Sequence, residues 1–208
     1  MPRISLAAAE AEIAYRDPVM RGLIKRHGPC KLRKGTDDHF SALVESITYQ
    51  QLAGKAAAAI HARLVGQFDA GVSPAAVLAA PDDVLLGAGL SKAKMASIKD
   101  LAAKVDSGAV PLHDVAGLTD DELIERLVTV RGIGRWTAEM FLMFQLRRLD
   151  VWPVDDYGVR KGYAAAYKLP ELPKPKELAA LGERFRPYRS IPAWYCWRAV
   201  DTVTQGRA

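Results

Sequence analysis

Three runs of residues have types and spacings that could do chemistry. The first is Arg131-Gly132-Ile133-Gly134-Arg135, followed directly by Trp136-Thr137-Ala138. Two glycines one residue apart admit positive φ and leave no side chain to block a close approach. At the start of a helix, backbone N–H groups then form an anion site, and a nucleic-acid phosphate fits there without any base being read. The second run is Asp155-Asp156, in a loop against a helix start where the helix dipole and its N–H groups favour a carboxylate. Both acids can equally be drawn as plain helix caps. The third is basic: Arg21, Lys25, Arg26, Lys31, Arg33 and Lys34, with no acid between positions 21 and 34. A phosphate-contacting face and a solvated face explain that run equally well.

Composition narrows the chemistry further. The 208 residues carry 29 Lys+Arg against 24 Asp+Glu, a net charge of +5, and the pI is near 9.2. Such a surplus favours polyanionic partners, because each cation placed on a phosphate releases condensed counterions. Two cysteines, Cys30 and Cys196, exclude a disulfide framework, an all-cysteine zinc site and a four-cysteine iron–sulfur cluster. No apolar run is long enough to span a membrane, and the first residues lack a signal-peptide layout. These features predict an intracellular protein, cytoplasmic or, in a eukaryote, nuclear.

The elements that must hold these runs are helices. Alanine occurs 33 times, and alternating β-branched runs are few. Ser5 caps a helix to about Tyr15, and Asp17-Pro18 reads as cap and first residue of a second, ended by Gly28-Pro29. Apolar spacing places further helices from His39, at Gly54–Val65, Ser73–Ala80 and Asp82–Leu86, and from Ser91 to about Val105. Thr119-Asp120-Asp121-Glu122 opens the next in capping-box fashion. That helix ends near Val128, and the glycine turn leads into another. Three more lie near Asp156–Tyr167, Lys176–Arg184 and Tyr188–Val203. The class is all-α, with about ten helices and no strand.

Helix–Val130-Arg131-Gly132-Ile133-Gly134-Arg135-Trp136-Thr137-Ala138–helix resembles the helix–hairpin–helix of the HhH-GPD superfamily of DNA glycosylases. Pro153-Val154-Asp155-Asp156-Tyr157-Gly158-Val159-Arg160 looks like the catalytic segment of that family, about twenty residues on. Ile47 to Leu52, with its Gln50-Gln51 pair, is similar to a recurring helix end, and Gly89-Leu90-Ser91 with Lys94 to another block. Arg186-Pro187-Tyr188-Arg189-Ser190 with Trp194 and Trp197 looks like the closing helix of the alkylbase branch. The order fits the AlkA-type branch (3-methyladenine DNA glycosylase II), and coverage runs from about Phe40 to Asp201. The resemblance implies a compact two-lobed helical bundle with no N-terminal β domain. One lobe is expected at about 35–115. The other comprises 1–34 plus 116–208, with the hairpin at 119–146.

The same resemblance implies a monofunctional enzyme that flips alkylated purines such as 3-methyladenine and 7-methylguanine out of double-stranded DNA and hydrolyses their N-glycosidic bond. Asp156 is the implied catalytic carboxylate, with Asp155 as the alternative. Members that also nick the backbone carry a Schiff-base lysine where this chain has Trp136. Trp136, Trp197, Tyr157 and Met140 are the implied pocket for a cationic base, plain core packing being the competing explanation. Trp152 and Trp194 are read as structural. Tyr49, Gln50, Gln51 and Leu52 match the segment that faces the minor groove in that family, so one of the four is the implied wedge, an ordinary polar helix terminus being the competing explanation. Arg131, Gly132, Ile133, Gly134, Arg135 and Thr137 are the implied contacts to the DNA backbone. Carbonyls of Val128, Val130 and Ile133 would hold a structural Na+ or K+. No other cofactor and no iron–sulfur cluster is expected, and the protein is read as a monomer. The competing function is a non-catalytic helix–hairpin–helix module for DNA binding or damage recognition.

Overall fold

The computed structural model describes residues 4–35 and 38–205, with side chains to residue 200. Their regular structure is helical throughout: α1 (Leu6–Arg16), α2 (Pro18–His27), α3 (His39–Tyr49), α4 (Gly54–Val65), α5 (Pro74–Ala79), α6 (Asp82–Gly87), α7 (Lys92–Asp106), α8 (Asp120–Leu127), α9 (Arg135–Met140), α10 (Tyr157–Tyr167), α11 (Pro175–Gly182) and α12 (Ser190–Gln205). Short 3-10 turns lie at Leu112–Asp114 and Glu183–Phe185, and a π-helical turn at Phe141–Gln145. Among the described residues no helix is long and apolar enough to cross a membrane.

Local chemistry sets these boundaries. Ser5 Oγ accepts the Ala8 N–H at 3.1 Å. Asp17 Oδ1 accepts the Val19 and Met20 N–H groups at 2.9 Å each, with Pro18 at the first helical position. Thr119 and Glu122 exchange side-chain and backbone bonds at 3.3 and 2.8 Å, the reciprocal cap expected of that run.

The chain divides into two units, residues 38–141 and residues 4–35 with 142–205. In the first, α7 packs against α3, α5 and α6 over a core that includes Leu43, Ile47, Leu85, Ile98 and Leu101. In the second, α12 packs against α10, α2 and α1 around Ile13, Met20, Tyr163, Phe185 and Tyr195. The sequence reading divided the chain at about 115 and grouped the hairpin with the termini. The structure instead keeps the hairpin with 38–141, because α7 side chains hold it. Asp100 Oδ2 accepts the Arg131 N–H at 2.7 Å, and Lys104 Nζ donates to the Thr129 carbonyl at 2.7 Å. The polar segment after α7 looks like a boundary, but Val110 and Leu112 are buried in it.

Glycines on α10 explain how closely α12 approaches. A Cβ on Gly162 would overlap the Cys196 carbonyl, and one on Gly158 would lie 2.7 Å from the Trp197 ring. The two glycines are four residues apart and so share one helix face. Both cysteines are free and buried. Burial pushes the Cys30 thiol up to about 12, and burial followed by the charge of Asp156 pushes Cys196 well up, so neither offers a thiolate at neutral pH.

Candidate functional site

Asp156 is the N-cap of α10, only 9% exposed. Its Oδ1 accepts the Val159 N–H at 2.7 Å and the Trp197 indole N–H at 2.9 Å. Asp156 is therefore a helix cap whose carboxylate is anchored by its own helix and by a donor from α12. Asp155 is exposed on the preceding turn. Side chains pin the segment that delivers Asp156. Arg189 grips the Asp150 carboxylate at 2.8 and 3.1 Å, Ser190 Oγ accepts the Val151 N–H at 2.9 Å, and Trp152 Nε1 donates to the Leu178 carbonyl at 2.8 Å.

Trp197 is half-buried and packs on Phe144 with ring centroids 5.7 Å apart. Phe144 is exposed, and the sequence reading missed it. Gly158 was read only as part of the acid segment, although its place two residues after the acid and four before Gly162 was a readable signal of close packing. Without that hydrogen-only position the indole could not lie against the start of α10 and reach Asp156. Tyr157 is 64% exposed. Trp152 is buried and Trp194 packs edge-on against Tyr195, in line with structural roles.

In the other unit, Gly132 has φ +78°, and a Cβ there would sit 2.7 Å from Ser97 Oγ. Conformation and close approach both require glycine at this position. Gly134 differs from the expectation: its φ of −90° suits any residue, and it serves as the N-cap of α9 with open space where a Cβ would be. Its lack of a side chain matters only to whatever approaches from outside. Arg131 and Arg135 are exposed, and Arg135 Nε donates to the buried Glu139 carboxylate at 3.0 Å. The Ile133 and Thr137 side chains are buried, so any outside contact at these two positions would run through their backbone groups. Trp136 is 49% exposed, whereas Met140 is partly buried.

The 49–52 segment resolves into separate tasks. Tyr49 packs edge-on against His61 with centroids 6.2 Å apart, and Gln50 Nε2 donates to the Gly132 carbonyl at 3.0 Å. Gln51 is exposed with φ +56°, and Leu52 is 40% exposed. Lys94 Nζ, from α7, donates to the Thr48 and Gln50 carbonyls at 2.6 and 2.8 Å. The basic run of the terminal unit alternates: Cys30 and Leu32 face inward, while Lys31 and Arg33 are exposed.

The model of the HhH-GPD superfamily of base excision DNA repair proteins matches residues 44–187, a span holding the 49–52 segment, the hairpin and Asp156. The chain belongs to this superfamily. It is 34% identical over 202 residues to DNA-3-methyladenine glycosylase 1 of Schizosaccharomyces pombe, covering 93% of this chain and 87% of that protein. A solved structure of the S. pombe 3-methyladenine DNA glycosylase in complex with abasic DNA aligns with TM-score 0.77 and 33% identity, covering 91% of this chain and 95% of the other. The DNA-3-methyladenine glycosidase of Bacillus halodurans aligns with TM-score 0.86 and 35% identity, over 99% of this chain and 95% of that one. Trp197, the donor to Asp156, lies beyond the matched span of the HhH-GPD model.

Proposed function

We propose that this HhH-GPD protein is a DNA glycosylase of base excision repair that removes alkylated purines, 3-methyladenine and 7-methylguanine among them, from double-stranded DNA. The observation that carries the reading is the buried Asp156 carboxylate, oriented by an α10 N–H and the Trp197 indole N–H. Excision breaks the bond between the sugar C1′ and the base nitrogen. The bonding electron pair leaves with the base and neutralises its positive charge. The sugar passes through an oxocarbenium-like state, which a nearby carboxylate stabilises. Water then adds its oxygen to C1′, and Asp156 takes its proton. Because a cationic alkylpurine is already a good leaving group, an aromatic surface such as Trp197 with Phe144 is better suited to it than a strong acid.

Trp136 occupies the position at which a Schiff-base lysine would stand, so the activity is monofunctional and of the AlkA type, leaving an abasic site. On α9, Trp136 and Met140 are the proposed base contacts. In the 49–52 segment, Tyr49 and Gln50 are engaged within the protein, which leaves Gln51 and Leu52 as the residues to fill the space of a flipped base. The hairpin presents backbone groups around Gly132 and Gly134 to a phosphate. Its carbonyls at Val128, Val130 and Ile133 suit a hard monovalent cation. Lys104 already takes the Thr129 carbonyl between them, and the Val130 carbonyl also accepts the Ile133 N–H at 3.0 Å. Such an ion would bridge the hairpin to DNA and take no part in the reaction.

The test is incubation of purified protein with methylated duplex DNA, resolving released bases by chromatography and scoring nicks before and after alkali. Free 3-methyladenine or 7-methylguanine, with nicks only after alkali, is the expected result. Tight DNA binding without base release would instead identify a non-catalytic binding module.

A further inference from the structure

Lys94 lies in the first turn of α7, yet its ammonium ends on another helix. It donates to the carbonyls of Thr48 and Gln50, where α3 runs out of its own N–H donors. One residue later the chain takes a left-handed kink at Gln51, φ +56°, a conformation L side chains rarely adopt, and then exposes Leu52. The Gln50 side chain returns to the Gly132 carbonyl at 3.0 Å. One helical turn along α7 from Lys94, Ser97 sits under Gly132. A single face of α7 thus holds both the 49–52 tip and the hairpin, and Gln50 joins them directly. The ammonium itself is partly buried, and burial lowers its pKa. The two carbonyls it caps hold it in place.

We propose that Lys94 is a positioning residue that locks the Tyr49–Leu52 tip in its kinked form and in register with the hairpin, so that the tip enters the duplex as the base leaves. This rests on the glycosylase reading. Lys94 acts through Gln50 and Gln51, without touching the base or the sugar. Its loss therefore impairs base extrusion and leaves phosphate contact at the hairpin in place.

The experiment compares wild type, Lys94→Met and Lys94→Arg, with Gln50→Met as a second break in the same chain of contacts. Three readouts are taken: amide exchange across residues 49–53 and 120–128, affinity for undamaged duplex, and single-turnover excision of 7-methylguanine with 2-aminopurine fluorescence reporting base extrusion. In Lys94→Met, exchange at 49–53 rises about tenfold while that at 120–128 stays put. Excision and extrusion fall about 10–100-fold, as expected for a misplaced tip, with undamaged-duplex affinity little changed. Lys94→Arg, which keeps the donors, recovers most of the rate, and Gln50→Met shows a smaller loss of the same kind. Wild-type excision by Lys94→Met overturns the proposal, as does an equal loss of undamaged binding and excision, or no recovery in Lys94→Arg. If wild type itself releases no alkylpurine, the glycosylase reading falls, and the exchange data alone decide whether Lys94 locks the tip.

Discussion

In the unit that carries Asp156, the contacts serve one side chain: Trp197 donates to its carboxylate, and Arg189, Ser190 and Trp152 pin the segment that carries it. In the unit that carries the hairpin, side chains position backbone. Lys94 and Lys104 seize carbonyls, Asp100 seizes an N–H, and Gln50 seizes the Gly132 carbonyl. The difference matches the two proposed tasks. Stabilising charge at a single sugar carbon needs an anion of fixed position, whereas holding a duplex of any sequence needs N–H and C=O groups that read no base. Substitutions in the first unit should therefore separate rate from affinity, and those in the second should move affinity or extrusion.

Asp156→Asn breaks the comparison most sharply. It keeps an acceptor for the α10 cap, so the fold should stand, while excision falls by at least about 10³-fold and duplex affinity stays nearly constant. Full activity in the purified variant would remove Asp156 from the mechanism. Trp197→Phe retains a ring against Phe144 but loses the indole donor. A hydrogen bond to a charged group contributes about 1.5–3 kcal/mol, so single-turnover excision should drop roughly 10–150-fold. A rate equal to wild type would show that the donor does not orient the carboxylate.

Gly134→Asp tests the opposite unit. An aspartate suits an N-cap, so Tm should hold or rise, yet its charge should weaken binding of damaged and undamaged duplex alike by roughly tenfold. Unchanged affinity at moderate salt would place the hairpin away from DNA. Gly162→Ala should leave affinity alone and cost about 1–3 kcal/mol of stability through overlap with the Cys196 carbonyl, read as a lower Tm. An undiminished Tm would mean that α10 and α12 can separate freely.

The smallest effect concerns Asp100. Burial works to raise its pKa, but hydrogen bonds from Lys104 and the Arg131 N–H, with the charges of both residues, outweigh this and hold it below the usual carboxylate value. The stabilisation it contributes is complete above the unfolded pKa of about 4 and is lost as pH falls through the lower folded value. Protection of the Arg131 amide should therefore decline below about pH 4 in wild type and be flat in Asp100→Asn. A flat wild-type profile would show that the clamp does not depend on the charge of Asp100.

What could be read in the residues alone was local. Caps at Ser5, Asp17, Ser91 and Thr119 lie within three residues of the N–H groups they satisfy, so their helices are written in short spans. The hairpin and the acid run were legible for the same reason, each being a contiguous motif with its own backbone demand. Tertiary structure decided the rest. That Gly132 needs its glycine while Gly134 only leaves room outside, that Gln51 kinks, and that Trp197 donates to Asp156 across 41 positions of sequence all depend on which helix lies against which. The placement of the hairpin with residues 38–141 follows from Asp100 and Lys104, two ordinary-looking charges on an amphipathic helix. Nothing in their spacing distinguishes a solvated pair from one that grips another segment. Only packing brings a backbone N–H or carbonyl within their reach, and that contact turns a surface charge into a positioning device.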